Sequence, residues 1–205
     1  MPARLQLEID GTAAVWDQGE VQWTDYGVSG IVTFQISRFA VRALHSGKNA
    51  FLWADLLPDI EEEALKAMLL KRVREFPERK AEELFVGIFP KKVISFLFKN
   101  ASLKPDQFLT EAQAAVLCNT IKHLKLTVQG NKSYDMAQVC SGGADIQELD
   151  PKTLESRRQE GLYITGEIID IDGICGGYNL QWAWSSGYTA GIHASRFKVG
   201  LEDQL

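Results

Sequence analysis

Cysteine is scarce in this chain: three in 205 residues, at positions 118, 140 and 175. They are odd in number, far apart and form no Cys-x-x-Cys pair, so neither a disulfide framework nor a structural zinc site can be assembled from them. Reduced thiols, and with them a cytoplasmic location, are the expectation. The histidines His45, His123 and His193 share no ligand spacing with the cysteines, and no metal site is expected. Basic charge is also in deficit. The 22 Lys and Arg against 27 Asp and Glu leave a net charge of −5, which speaks against a nucleic-acid partner held by a basic patch. Nowhere do apolar residues run for the roughly 20 positions that span a bilayer. MPARLQLEID has no hydrophobic signal core, so no membrane partner is expected either. Finally, no Gly-x-Gly-x-x-Gly follows an N-terminal strand, so the usual pyrophosphate half of a dinucleotide site is not in evidence.

What is present is an ordinary globular composition, 45% hydrophobic and 24% charged, over a length that suits one large or two small domains. Leu5, Leu7 and Ile9 alternate with polar residues as a strand, and the Ile9–Thr12 turn leads into a second strand near Ala13–Trp16. A third short strand spans Glu20–Thr24. Ser29 is placed to cap a helix from Gly30 to about His45, with Gly47 just beyond it, and Phe51–Ala54 reads as a strand. Helices dominate the middle. Asp59 with Glu62 forms a capping-box pattern for a helix to about Glu75, and a shorter helix covers Glu78–Val86. Pro90 opens another helix ending near Asn100, and Thr110 with Gln113 is a second capping box for a helix to about Leu124. Past Gln129-Gly130-Asn131 the composition turns to glycine pairs, short apolar runs and acidic turns, which places a domain boundary at about 130–134.

The residues that carry chemistry lie beyond that boundary. An apolar strand, Leu162–Ile164, runs into Gly166-Glu167. A carboxylate beside a residue small enough for close backbone approach can accept sugar hydroxyls, although a turn with a solvated carboxylate gives the same dipeptide. Gly176 and Gly177 then open a helix at Tyr178, Asn179 and Leu180, where free amides and the helix dipole favour negative charge. The same letters also fit a tight turn onto a buried helix, with Trp182, Trp184 and Tyr188 as core. Cys140-Ser141-Gly142-Gly143, after a strand over Met136–Val139, either lets backbone approach a ligand or turns a corner. Cys175 precedes the double glycine as a bystander thiol or one tuned by the helix end. Asp170 and Asp172 read as a solvated acidic turn, and His193 as structural. Lys91-Lys92 and Arg157-Arg158 are too small for a nucleic-acid footprint. No side chain is marked as a catalytic acid or base.

Three stretches together resemble one family: Tyr134–Gly143, Thr153–Ser156, and GLYITGEIIDIDGICGGYNLQWAWSSGYTAG from Gly161 to Gly191. It is the family of bacterial NAD(P)/FAD-dependent flavoproteins that includes aminoacetone-oxidase-like and bile-acid-reducing BaiN-type enzymes. GEVQWTDYGVSGIVTFQISRFA (Gly19–Ala40), Ala54–Pro58 and Leu84–Lys92 resemble its insert domain. The resemblance implies an α+β fold: an insert domain over 1–131, with a small antiparallel β-barrel-like sheet plus helices, then an incomplete Rossmann-like FAD-binding segment over 132–205. It implies FAD as cofactor, with Gly166 and Glu167 near the ribityl-phosphate and Gly176, Gly177, Tyr178, Asn179 and Leu180 at the pyrimidine edge. Ser141, Gly142 and Gly143, with Ala144 after them, would line the flavin or substrate face. NAD(P)H is the implied candidate reductant and a small molecule the substrate. The family's opening strand and glycine-rich loop have no counterpart here. The expectation is therefore weak or absent FAD binding by the isolated chain, an N-terminal FAD-binding half as a partner, and an exposed apolar flank with an open sheet edge in the second domain, which would favour self-association.

Overall fold

A computed structural model describes residues 1–132, 134–137 and 139–196. The chain divides into two compact units, Met1–Gly130 and Asn131–Leu205.

In the first unit, β1 (Pro2–Ile9), β2 (Thr12–Glu20), β5 (Ala50–Asp55) and β6 (Leu124–Thr127) form an antiparallel sheet in the order β2-β1-β5-β6. A two-stranded hairpin, β3 (Gln22–Thr24) with β4 (Gly27–Ser29), lies apart from it. The alternation in β1 explains the layering: Ala3, Leu5 and Leu7 are buried while Arg4 and Gln6 face out. Because side chains on a strand point to opposite faces in turn, one face of the sheet is core and the other is solvent. Helix α1 (Ile31–His45) lays Val32, Ile36, Ala40 and Ala43 into the core. Behind them α2 (Glu62–Glu75), α3 (Lys91–Asn100) and α4 (Glu111–Lys122) contribute Leu65, Leu69, Ile94, Leu97, Phe98, Leu117 and Ile121. Phe85 meets Phe98 edge to face at 5.5 Å between centroids, a favoured aromatic geometry.

Local signals placed several of these elements, and packing moved others. The Thr110 capping box forms as its residues require: the Gln113 amide donates to Thr110 Oγ1 at 3.3 Å and the Thr110 amide to Gln113 Oε1 at 3.0 Å. The Asp59 box does not form. α2 starts at Glu62 behind Glu61, and Asp59 instead accepts the Gln18 side-chain amide at 3.3 Å. Ser29 is not the cap of α1, since it is drawn into β4 opposite Gln22 and leaves Gly30 as the cap. Residues expected as a helix over 78–86 make only a 3₁₀ turn, Ala81–Phe85, held by its amides on the Gln107 and Pro105 carbonyls. α4 stops at Lys122, because Leu124 pairs with Ala54 and adds a fourth strand.

One largely buried ion pair ties this unit together. Lys122, at the end of α4 with its side chain 9% exposed, places Nζ 2.6 Å from Asp55 Oδ2. It also donates to the Leu57 and Ile60 carbonyls at 3.0 and 2.7 Å. Asp55 Oδ1 accepts the Leu57 amide at 3.0 Å. The end of β5, the loop before α2 and the end of α4 therefore meet on one ammonium. Nearby, burial first and the neighbouring Glu62 second push the Cys118 thiol up, which leaves it protonated and unreactive. Alkylation of the native chain, mapped by mass spectrometry, should label exposed Cys140 and spare Cys118 until the unit unfolds.

The second unit contains no strand among its described residues. Three isolated bridges join Ala144 with Ile169, Leu149 with Ser156 and Glu155 with Tyr163, and of these only the last touches an expected strand. Leu162–Ile164 contributes only the Tyr163 bridge. Residues Tyr134–Met136 form a 3₁₀ turn rather than a strand start, and Gln138 lies outside the described residues. A strand persists only when a neighbour pairs along its length, and one bridge does not supply that. The open sheet edge expected here is thus replaced by a bare helical face. The one long element is α5 (Tyr178–Ala194). It buries Ser186 and Ala190 toward a small cluster of Leu149, Leu154 and Ile169, while Leu180, Trp184 and Tyr188 are 69, 78 and 73% exposed. Those three recur at i, i+4 and i+8, so they share one face of the helix.

Candidate functional site

The residues singled out from the sequence fall into two groups, both within the second unit. Gly166 opens a 3₁₀ turn, Gly166–Ile168, that is clamped to α5. Its amide donates to Ser186 Oγ at 2.9 Å, and its carbonyl accepts the Trp182 indole N–H at 3.1 Å. Both backbone groups of Gly166 are therefore engaged within the protein. Trp182, a core residue in one of the two readings of this stretch, is half-buried and positions the turn through its indole N–H.

The loop Cys140–Gly143 docks on the same turn through an acidic ladder. Glu167 Oε1 accepts the Cys140 amide at 2.9 Å, Asp170 Oδ1 accepts the Gly142 amide at 3.1 Å, and Ser141 Oγ donates to Asp172 Oδ2 at 2.9 Å. Between them Ala144 exchanges backbone bonds with Ile168 and Asp170, at 2.7 and 3.0 Å. Gly143 is required by this approach. Its φ is +152°, and a β-carbon there would land on the Ile168 carbonyl. Asp170 and Asp172, expected as solvated carboxylates, thus hold the loop in place. The amides and hydroxyl of Cys140, Ser141 and Gly142 are committed to this ladder, so the loop acts as a wall.

What faces outward is the start of α5. Gly177 takes the left-handed conformation (φ 97°, ψ −2°) and the helix has no side-chain cap and no acid in its first turn. The first helical bond runs from the Gln181 amide to the Gly177 carbonyl at 2.9 Å, so the Tyr178, Asn179 and Leu180 amides precede any intrahelical acceptor. The Asn179 side chain is turned back: its Oδ1 accepts the Gly173 amide at 2.7 Å and its Nδ2 donates to the Gly173 carbonyl at 3.4 Å. That bracing closes the acidic loop before Gly176 and Gly177. Exposed Glu167, Ile168, Ile174, Tyr178 and Leu180 complete the surroundings. Cys175 is half-buried and His193 lies in the last turn of α5. Among the described residues no three His, Cys, Asp or Glu side chains are grouped to hold a metal ion. No described helix is long and apolar enough to cross a membrane.

An antiparallel sheet with helices, followed by a glycine-led helix and its docked turns, defines an α+β protein. Residues 3–139 match the HI0933-like protein barrel and H2TH domain, and residues 122–193 match the HI0933-like protein Rossmann domain. The chain belongs to the HI0933-like family. It is 43% identical over 182 residues to the 3-dehydro-bile acid delta(4,6)-reductase of Clostridium scindens, covering 87% of this chain and 44% of that protein. Ribosomal RNA dihydrouridine synthase of Haemophilus influenzae is 31% identical over 181 residues, 86% of this chain and 42% of its own. The Escherichia coli protein of the same name is 31% identical over 169 residues, 81% of this chain and 40% of its own. The chain thus spans less than half the length of these relatives.

Proposed function

We propose that this chain is the C-terminal portion of an FAD-dependent oxidoreductase, with residues 1–131 as its insert domain and 132–205 as the return into its FAD-binding domain. The observation that carries the reading is the uncapped start of α5 held beside the exposed Glu167 turn by the Trp182 and Ser186 bonds. The chemistry of that donor set fits a flavin. Backbone amides of Tyr178, Asn179 and Leu180, with the helix dipole behind them, suit an anionic pyrimidine edge. Glu167, with one oxygen on Cys140, keeps a second for a ribityl hydroxyl. Gly166, Gly176 and Gly177 shape the backbone around it, and Ser141, Gly142 and Gly143 form the braced wall. FAD, when bound, would supply transfer of a hydride or electron pair, with NAD(P)H as reductant. The relatives' activities, reduction at a delta(4,6) position of a bile acid and formation of dihydrouridine, share saturation of a carbon–carbon double bond. The substrate class proposed is a small molecule with a reducible carbon–carbon double bond, as in the bile acid reductase, in a cytoplasmic protein.

The bare Leu180, Trp184 and Tyr188 face supports a covering partner, namely an N-terminal FAD-binding half, over a free-standing module without cofactor. Titrating the 205-residue chain with FAD, followed by flavin fluorescence, should show weak binding at most. Adding an N-terminal Rossmann half of the family in trans should give a yellow complex that NAD(P)H bleaches. A colourless mixture of two folded polypeptides would defeat the flavoprotein reading and leave the non-catalytic module.

A further inference from the structure

Lysines are unevenly placed in the first unit. Between Pro90 and Pro105 the chain carries Lys91, Lys92, Lys99 and Lys104 and no acid, although its net charge is −5. Lys91, Ser95 and Lys99 recur at i, i+4 and i+8 of α3, with Lys92 beside the first, so they share one side of the helix. All four of these are exposed, while Ile94, Leu97 and Phe98 turn into the core. Lys104 follows just past the end of α3, where the Leu103 amide returns to the Phe98 carbonyl at 2.9 Å. None of the four ammoniums stands in an ion pair among the described residues. The acids on either side in the chain are Glu82, Glu83 and Asp106, and Glu83 is held on the Lys80 amide at 2.9 Å. Lys91 and Lys92 also break a local rule. They occupy the first turn of α3, which has no acid and no side-chain cap, and the helix dipole there disfavours cations. Two unpaired ammoniums at the wrong end of a helix point to a role outside folding. Ahead of them, in the 86–89 turn that leads into the helix, Val86 is 68% exposed.

We propose that this lysine face docks on an anionic lipid surface, with Val86 reaching the headgroup layer. The residue types favour a bilayer over a macromolecule. Protein interfaces are depleted in lysine and enriched in arginine. Bidentate phosphate recognition uses the arginine fork, which this face lacks. No exposed aromatic ring stands on α3 for an unpaired base to stack on. A run of lysine point charges on one convex helix face instead suits the diffuse negative potential of an anionic bilayer, as at the cytoplasmic side of a membrane. Peripheral docking of this kind needs neither a spanning run nor a signal core. The remainder of the chain is acidic, but at physiological salt charges farther than about 8 Å from the surface are largely screened. The contacting face therefore decides. Each lysine near the surface strengthens binding by about fivefold. The four together give roughly 10²–10³-fold over neutral lipid, a weak, reversible and salt-sensitive attachment. The proposal is independent of flavin binding.

The test is co-sedimentation of the whole chain with vesicles of phosphatidylcholine, with and without phosphatidylserine. Binding is expected on the mixed vesicles alone, and salt at about 1 M, where the screening length falls to about 3 Å, should release it. Lys91→Gln with Lys92→Gln should weaken the partition about thirtyfold. That double change should leave the fold at least as stable, because it removes two cations from the positive end of a helix, and urea unfolding checks this. Lys48→Gln with Lys152→Gln alters the net charge equally at exposed positions outside α3 and should bind like the parent. Val86→Ser should weaken binding severalfold without changing its salt dependence. No binding to mixed vesicles, equal binding to neutral ones, parental affinity in the Lys91 and Lys92 double variant or in Val86→Ser, or an equal loss in the Lys48 and Lys152 control would each overturn the proposal. So would capture of the chain by soluble polyglutamate or an RNA oligonucleotide with none by vesicles, which would assign the face to an acidic macromolecule.

Discussion

Replacing Lys122 by alanine is expected to cost the first unit about 3–5 kcal/mol, because it leaves Asp55 charged and uncompensated inside the fold. The Ile60 carbonyl loses its donor in the same change, while the Leu57 carbonyl keeps the Ile60 amide at 3.1 Å, and one stranded acceptor adds to the loss. The comparison that isolates the charge is a double variant, Lys122→Met with Asp55→Asn. The methionine fills the stem's volume, and the asparagine still accepts the Leu57 amide. It should recover a substantial part of the loss. Urea unfolding followed by far-ultraviolet circular dichroism measures both. A loss below about 1 kcal/mol for Lys122→Ala, the range of a solvated surface pair, would show that the pair is not buried in solution.

Gly143→Ala should be the most damaging single methyl addition in the second unit. Two effects combine: a positive φ of 152°, and a β-carbon driven against the Ile168 carbonyl and within 3.1 Å of the Asp170 amide. Backbone cannot step aside as a side-chain tip can, so the loop must leave the Glu167 turn. The expected cost is roughly 2–4 kcal/mol. Gly142→Ala is the internal control. Its φ of 104° is also unfavourable, but a β-carbon there meets nothing within 4 Å, and about 1 kcal/mol is expected. Hydrogen exchange of the Ala144 and Asp170 amides, which bridge loop and turn, should accelerate strongly in the first variant and little in the second. Equal acceleration in both would mean that strain, not the close approach, holds Gly143 as glycine.

The two units were legible to different degrees. In the first, periods of 2 and 3.6 agree with what packing requires. The alternation at Leu5 and Leu7 places β1, and the Thr110 box closes on itself within three residues. Failures there came from partners far along the chain. Ser29 gave way to pairing with Gln22, Asp59 to Gln18, and the end of α4 to the β6–β5 ladder. In the second unit glycine pairs marked where the backbone turns, and α5 was readable from its spacing. The apolar runs around it promised strands that do not form among the described residues, since pairing partners are not a local property.

For the candidate site, residue types alone determined that a carboxylate turn and a glycine-led helix end exist, and that positive charge and metal-ligand spacing do not mark it. Only tertiary structure decided which of those groups are spent. It committed Gly166 to Trp182 and Ser186, and the 140–143 loop to Glu167, Asp170 and Asp172. It left outward the amides at the start of α5. A sequence specifies which hydrogen-bonding and stacking groups a chain owns. Which of them face a ligand depends on which have already found one another, and that is settled by contacts between residues distant in the chain.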